Sequence, residues 1–342
     1  MADRPVHADS TVPPGAGGGS RQTGIGPARR DDPAELFAAA RQGDRRSLAR
    51  LLTMVEAGGH RGRAVAAVAY RSGAEPRTVG ITGAPGAGKS TLTGRLIAAA
   101  RSGGVDQLAV VAVDPTSPFS GGAVLGDRVR MQDHALDPGV YIRSMATRGH
   151  LGGLSVAVPE AARILAAVGF PTIFIETVGV GQVEVEIAEE ADTTVVVVNP
   201  GWGDAVQANK AGLMEIADVF VINKADRPGV RETRRDLESM LDMSEPGPWR
   251  PPILETVAQD GKGAEEVIEA VMAHHAFAES SGLAARRREA RLAKELSRLA
   301  QALIAAKVEA RLSGEEFSHS IAEMNAGRLD PRTIANRLIE GL

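Results

Sequence analysis

The chain has 342 residues, 43% hydrophobic and 24% charged, enough to bury a sizeable core in one large domain with additions or in two domains. A formal net charge of −4 and an aromatic content of 3% give no electrostatic or stacking reason to expect nucleic acid. The absence of cysteine excludes disulfides, thiolate-ligated zinc and thiolate chemistry. No apolar run is long enough to span a bilayer and the N-terminus has no apolar signal core, so a cytoplasmic protein without a membrane partner is expected.

Residues 1–31 are rich in Gly, Pro, Ser and Arg, including Pro13-Pro14-Gly15 and Gly17-Gly18-Gly19. Such a segment has little apolar surface to offset ordering, so a disordered tail is expected. Asp32-Pro33 reads as a helix start, with proline at the first helical position. Leu36, Phe37 and Ala40 share a face of that helix, and Gly43 ends it. Leu48, Leu51, Leu52 and Val55 mark a second helix, and Val65, Val68 and Ala69 a third. These make a helical extension over residues 32–75.

Thr78–Thr82 then reads as a short buried strand. It enters Gly83-Ala84-Pro85-Gly86-Ala87-Gly88-Lys89-Ser90, which fits the P-loop pattern G-x-x-x-x-G-K-[ST] without a mismatch. From Thr91 a helix follows, with Leu92, Leu96 and Ile97 at helical spacing. Glycines let successive N–H groups turn inward as a nest for phosphate oxygens, and the helix points its positive end at the same anion. Lys89 would reach the β- and γ-phosphates, and the Ser90 hydroxyl would ligate Mg²⁺. A glycine-rich turn with a chance lysine would lack that strand and that helix.

Apolar runs at Leu108–Val113, Pro171–Ile175, Thr193–Val198, Val219–Ile222 and Pro252–Leu254 alternate with helical segments. Unbroken β-branched runs of this kind predict a parallel sheet covered on both faces, here a P-loop domain over residues 76–280. Polar residues follow each run, as Asp114-Pro115, Glu176-Thr177, Asn199-Pro200 and Asn223-Lys224-Ala225-Asp226. That is the ligand edge of an open α/β sheet.

Asn223-Lys224-Ala225-Asp226 matches the guanine-reading pattern N-K-x-D. Guanine offers an N1–H and an exocyclic amine to one carboxylate, and Asp226 can accept both. Adenine lacks that pair of donors and would leave the carboxylate unsatisfied. Asn223 and Lys224 would brace the loops and cover the base; a plain surface turn is the alternative. Val257-Ala258-Gln259 stands where a second base-contacting loop belongs. Three acids sit between the motifs. Asp114, Asp127 and Glu176 could ligate Mg²⁺ with Ser90, directly or through water, or polarise the attacking water. Turn formation at Asp114 and a helix cap at Asp127 are the structural alternatives. The run Thr177 to Gln182 has the look of a switch, with Gly179 able to meet a γ-phosphate and Gln182 to orient water.

The order GAPGAGKST, VDPTSP, GGAVLGDRVRM, ETVGVGQVEVEIAEEAD, NPGWGDAVQANKAGLMEIADVFVINKAD closely resembles the MeaB/ArgK family of G proteins, over roughly residues 33–342. The resemblance implies a SIMIBI-class G domain using GTP and Mg²⁺. It implies a chaperone of adenosylcobalamin-dependent methylmalonyl-CoA mutase, or of a sister acyl-CoA mutase, that gates cofactor loading and protects or reactivates the enzyme. It further implies Mg²⁺-site roles for Ser90, Asp114, Asp127 and Glu176, catalytic roles for the three acids with Lys89, and switch regions around Asp127, at Glu176 to Gln182 and near Gln207 to Lys210. Two alternatives remain: a kinase of a small molecule or transport protein, and a metallochaperone GTPase, which would ordinarily carry His/Cys tracts absent here.

The C-terminal region, 281–342, carries a long helix from Leu283 to Leu312 without Gly or Pro. Leu292, Leu296, Leu299 and Leu303 alternate four and three apart, a coiled-coil type of seam. The family resemblance makes this region a homodimer arm; packing on the chain's own G domain is the alternative. A last short helix is expected after Asp330-Pro331.

Overall fold

The computed structural model describes residues 32–114, 133–134, 136–146, 157–177, 190–201, 212, 215–245, 247–312 and 315–340. The expected tail and the candidate residues Asp127, Gly179, Gln182 and Lys210 lie outside them, as does the Asp114 side chain.

Among the described residues seven strands make one sheet, with every described pairing parallel. They are β1 (Arg77–Gly83), β2 (Leu108–Asp114), β3 (Val140–Ala146), β4 (Thr172–Thr177), β5 (Thr193–Val198), β6 (Val219–Asn223) and β7 (Ile253–Thr256), in the order β3-β2-β4-β1-β5-β6-β7. The P-loop strand β1 is therefore central. Residues alternate across the sheet, so β5 sends Val195 and Val197 to one face and Val196 and Val198 to the other. Both faces are dry, which is why the strands read as continuous β-branched runs.

Helices cover the two faces. On one, α4 (Lys89–Ser102) and α7 (Ala264–Ser280) pack over Val79, Ile81, Phe174, Val195 and Val221. On the other lie α5 (Ala157–Ala167), the N-terminal helices α1 (Pro33–Arg41), α2 (Arg45–Ala57) and α3 (Gly59–Arg71), and, toward β6, α6 (Val230–Met243). The helical block over 32–75 shares one core with α5 and with residues of β2 and β4. Asp44 caps α2, accepting from the Arg46 and Ser47 amides.

Strand β3 is absent from the sequence reading. Its segment Val-Tyr-Ile-Arg-Ser-Met-Ala carries Arg143 and Ser144 at its centre, because it is an edge strand. Arg143 turns to Glu56 on α2, 2.6 Å away.

The C-terminal helices are α8 (Leu283–Leu312), α9 (Glu315–Asn325) and α10 (Pro331–Glu340), the last starting after Asp330 as expected and capped by that residue's carboxylate. The first half of α8 is docked on the sheet domain. Arg287 pairs with Asp218 at 2.9 Å, Arg291 with Asp192 at 2.5 Å, Arg298 with Glu190 and Glu295 with Arg163. Burial pushes the Asp218 carboxyl upward, but hydrogen bonding from His274 and Arg287 outweighs it and holds the group below its usual value. His274 is fully buried between Asp218 and Thr193. No side chain of α8 is buried, and Leu296 and Leu303 are 70% and 53% exposed. Among the described residues, no helix is long and apolar enough to cross a membrane.

Candidate functional site

The site begins where β1 runs out. Gly83 has φ 132°, and a Cβ there would sit 2.0 Å from the Val197 carbonyl oxygen on β5. Gly88 has φ 92°, and a Cβ there would sit 2.4 Å from Asn223 Nδ2. Glycine is required at both positions, by conformation and by space. Between them the loop turns through Ala84, Pro85, Gly86 and Ala87 into α4. The first residues of α4 are Lys89 and Ser90, so its unpaired amides lie at the loop.

Lys89 is buried, its Nζ donating to the Gly83 and Ala84 carbonyls at 2.5 and 3.2 Å. Ser90 Oγ donates to Glu176 Oε1 at 2.6 Å, and Glu176 is only 1% exposed. The sequence reading set Glu176 and Thr177 after their strand. They are instead the last two residues of β4, where Glu176 lies opposite Ile81 of β1 and Ala112 of β2. Polar residues end this strand because partners await them: Thr177 Oγ1 also donates to Thr82 Oγ1 at 3.3 Å. Asp114 is the last residue of β2, one strand away. Among the described residues, no three His, Cys, Asp or Glu side chains converge on a common point. Of the expected metal set, the Ser90–Glu176 pair is the part brought together.

The other half of the site is organised by Asn223. It ends β6 and is 2% exposed. Its Nδ2 donates to the Ala87 carbonyl at 2.8 Å, while its Oδ1 accepts from Thr256 Oγ1 and from the Ala258 amide, each at 3.1 Å. One amide thus fastens the P-loop to the loop after β7. Lys224 follows at φ 60°, the one positive-φ residue other than glycine among the described residues, and its Nζ donates to the Gly86 carbonyl at 2.6 Å. The Ala225 amide bonds Thr256 O at 3.0 Å, which leaves Asp226 projecting at the rim. A pocket opens here, lined by Gly88, Thr91, Lys224, Asp226 and the loop Val257-Ala258-Gln259. Two motifs far apart in the chain, with the nondescript loop after β7, meet in one concavity.

A family profile described as "Methylmalonyl Co-A mutase-associated GTPase MeaB" matches residues 48–313. The chain belongs to the MeaB family. A relative from Pyrococcus horikoshii, named a "putative GTPase", is 50% identical over 310 residues, covering 90% of this chain and 97% of that one. GTPase ArgK of Escherichia coli is 38% identical over 252 residues, covering 70% of this chain and 75% of ArgK. A solved structure described as an LAO/AO transport system kinase matches with a TM-score of 0.65 at 26% identity, over 90% of this chain and 96% of that one. The fold is that of a P-loop NTPase, as the MeaB/ArgK resemblance implies.

In this candidate site, sequence reasoning overlooked Thr256, Arg227 and Arg95. Thr256 is buried under Asn223, and Arg227 lines the same pocket as Asp226. Arg95 stands one turn beyond Thr91 on α4 and donates to two carbonyls of the 257–259 loop. Its place on the same helix face as Thr91 was the available signal.

Proposed function

We propose that the chain is a Mg²⁺-dependent GTPase that serves an adenosylcobalamin-dependent methylmalonyl-CoA mutase, or a sister acyl-CoA mutase, as a nucleotide-switched chaperone. The observation that carries the reading is the Asn223 junction. It holds a P-loop and an N-K-x-D carboxylate on one pocket at the carboxyl ends of the strands, where open α/β sheets bind ligands.

The chain's own groups have clear work to do. The P-loop amides and the N-terminus of α4 would cradle the phosphates, and the buried Lys89 ammonium would add a point charge to them. Asp226 would accept from the two donors of guanine, with the Lys224 stem lying over the base. Ser90 and Glu176 fit a Mg²⁺ ion: they are hard oxygen donors, 2.6 Å apart, at the phosphate end of the loop. The ion, when bound, neutralises charge on the terminal phosphates. Asp114 and Asp127 complete the proposed set, directly or through water. Gly179, Gln182 and Lys210 are the proposed switch residues. Membership of a family described by its association with methylmalonyl-CoA mutase supports the choice of partner. The exposed leucines of α8 support a homodimer.

The structure described as a transport system kinase favours a second reading, transfer of the phosphoryl group to an acceptor other than water. Incubation with γ-labelled GTP separates the two: release of inorganic phosphate supports the GTPase, and a labelled acceptor supports the kinase. The mutase assignment is tested by pull-down from an extract of the protein's own cells, with GDP and with a non-hydrolysable GTP analogue. Nucleotide-dependent capture of a cobalamin-dependent mutase is expected, and its absence from both eluates would refute the assignment.

A further inference from the structure

We infer that Arg95 is a positioning residue for base selection: it fixes the peptide plane between Ala258 and Gln259 so that the Gln259 N–H faces the base pocket. This rests on the guanine-nucleotide reading above and adds a residue to it.

Arg95 lies on α4, on the turn after Thr91, which itself lines the pocket. Its Nε donates to the Ala258 carbonyl at 3.0 Å and its Nη2 to the Gln259 carbonyl at 2.7 Å. A guanidinium offers both donors in one rigid fork, so two successive carbonyls are held at once. Across a trans peptide, the carbonyl of one residue and the N–H of the next point in opposite directions. With the Ala258 carbonyl held by Arg95, the Gln259 N–H is turned the other way, to the side where Ala258 and Gln259 line the pocket with Lys224 and Asp226.

The neighbouring amides are already engaged. Val257 N–H donates to Lys262 O at 3.1 Å, Ala258 N–H to Asn223 Oδ1 at 3.1 Å, Asp260 N–H to Val257 O at 3.0 Å and Gly261 N–H to Ala258 O at 3.4 Å. Gln259 N–H has no acceptor among the described residues. It is the donor this loop leaves for a ligand. Guanine carries the O6 acceptor beside the N1–H that Asp226 would read. Adenine carries an amino donor at that place, which an N–H cannot satisfy. If the peptide flipped, the Ala258 carbonyl would face the pocket instead and would favour that amino group. Arg95 opposes the flip. It does so from the surface: its side chain is exposed, and Leu92, Leu96 and Ile97 hold α4 to the core without it.

The test uses the full chain and competition against fluorescent GDP. The competitors are GDP, 6-thio-GDP, whose sulfur is a poor acceptor at position 6, IDP, which lacks the 2-amino group, and ADP. The native protein should prefer GDP to 6-thio-GDP. Arg95→Ala should shrink that preference by about three- to tenfold, the range of one hydrogen bond, while leaving the GDP to IDP ratio unchanged. Arg95→Lys, which keeps a donor but not the fork, should recover part of it. Equal weakening of every nucleotide, or an unchanged GDP to 6-thio-GDP ratio in Arg95→Ala, would overturn the inference alone. If the alanine variant fails to fold, Arg95→Gln carries the same comparison with the same two outcomes. Equal binding of ADP and GDP by the native protein would overturn the guanine reading, and this inference with it.

Discussion

Replacing Asn223 by alanine removes three hydrogen bonds with one side chain. The Ala87 carbonyl, the Thr256 hydroxyl and the Ala258 amide would each lose a partner, and all three residues are buried. A buried polar group left unsatisfied costs about 1–3 kcal/mol. Some of that is recovered where water can enter from the pocket, so a total of about 2–4 kcal/mol is expected. In a chain of this size that lowers the Tm by roughly 5 °C. The cost falls on the junction itself, because the P-loop and the base-side loop are no longer tied together. GDP affinity should therefore fall by about tenfold or more in Asn223→Ala, as read by fluorescent-nucleotide titration beside thermal melts. Asn223→Asp sharpens the contrast. It keeps both accepting contacts but sets a carboxylate against the Ala87 carbonyl, so it should lose affinity at least as severely. An alanine variant with GDP affinity within twofold of native and an unchanged Tm would refute the claim that Asn223 joins the two halves of the site.

Three further perturbations probe other parts of the account. Asp226→Asn should shift nucleotide preference from guanine toward xanthine, with GDP weakened by about tenfold or more in a competition titration, since bonds to a charged acceptor contribute about 1.5–3 kcal/mol; unchanged selectivity would count against Asp226. Glu160 on α5 is pushed up to about 7, first by burial and then by Glu295 of α8, against the pull of Arg163. Its proton is held by the folded state above the pH at which the unfolded chain releases it, so stability is lost as pH rises through about 7. Glu160→Gln should accordingly raise the Tm at pH 8 and much less at pH 5, and an equal change at both would refute that origin. Leu296→Glu combined with Leu303→Glu should give monomers in light scattering that still bind GDP; a native protein already monomeric at micromolar concentration would eliminate the dimer.

The parts of the fold that the sequence revealed are those where burial is complete. β1, β2 and β4 to β6 are covered on both faces, and their β-branched runs carry that fact in the residues themselves. β3 has one paired edge and carries Arg143, which pairs with Glu56 of α2, so no such run exists to be read. The strand was read as ending before Glu176 because a carboxylate ordinarily leaves a sheet; the Ser90 hydroxyl at the start of α4 keeps it in. The leucine seam of α8 showed as a periodicity, whereas the arginines that dock α8 did not. Their partners Glu190, Asp192 and Asp218 lie far back along the chain, and pairs so distant leave no local pattern. In the candidate site, the P-loop and N-K-x-D motifs were legible because phosphate and guanine demand particular residues at fixed spacing. Arg95 was not, because it binds backbone carbonyls, which any sequence supplies.

The central claim is a guanine-specific hydrolase whose turnover answers to a mutase. It is tested most directly by measuring phosphate release from GTP and from ATP by the purified chain in Mg²⁺, alone and with an adenosylcobalamin-dependent acyl-CoA mutase. The account predicts slow release from GTP, little from ATP, and a faster rate from GTP when the mutase is present. Equal release from ATP, or a GTP rate that no such mutase changes, would contradict it.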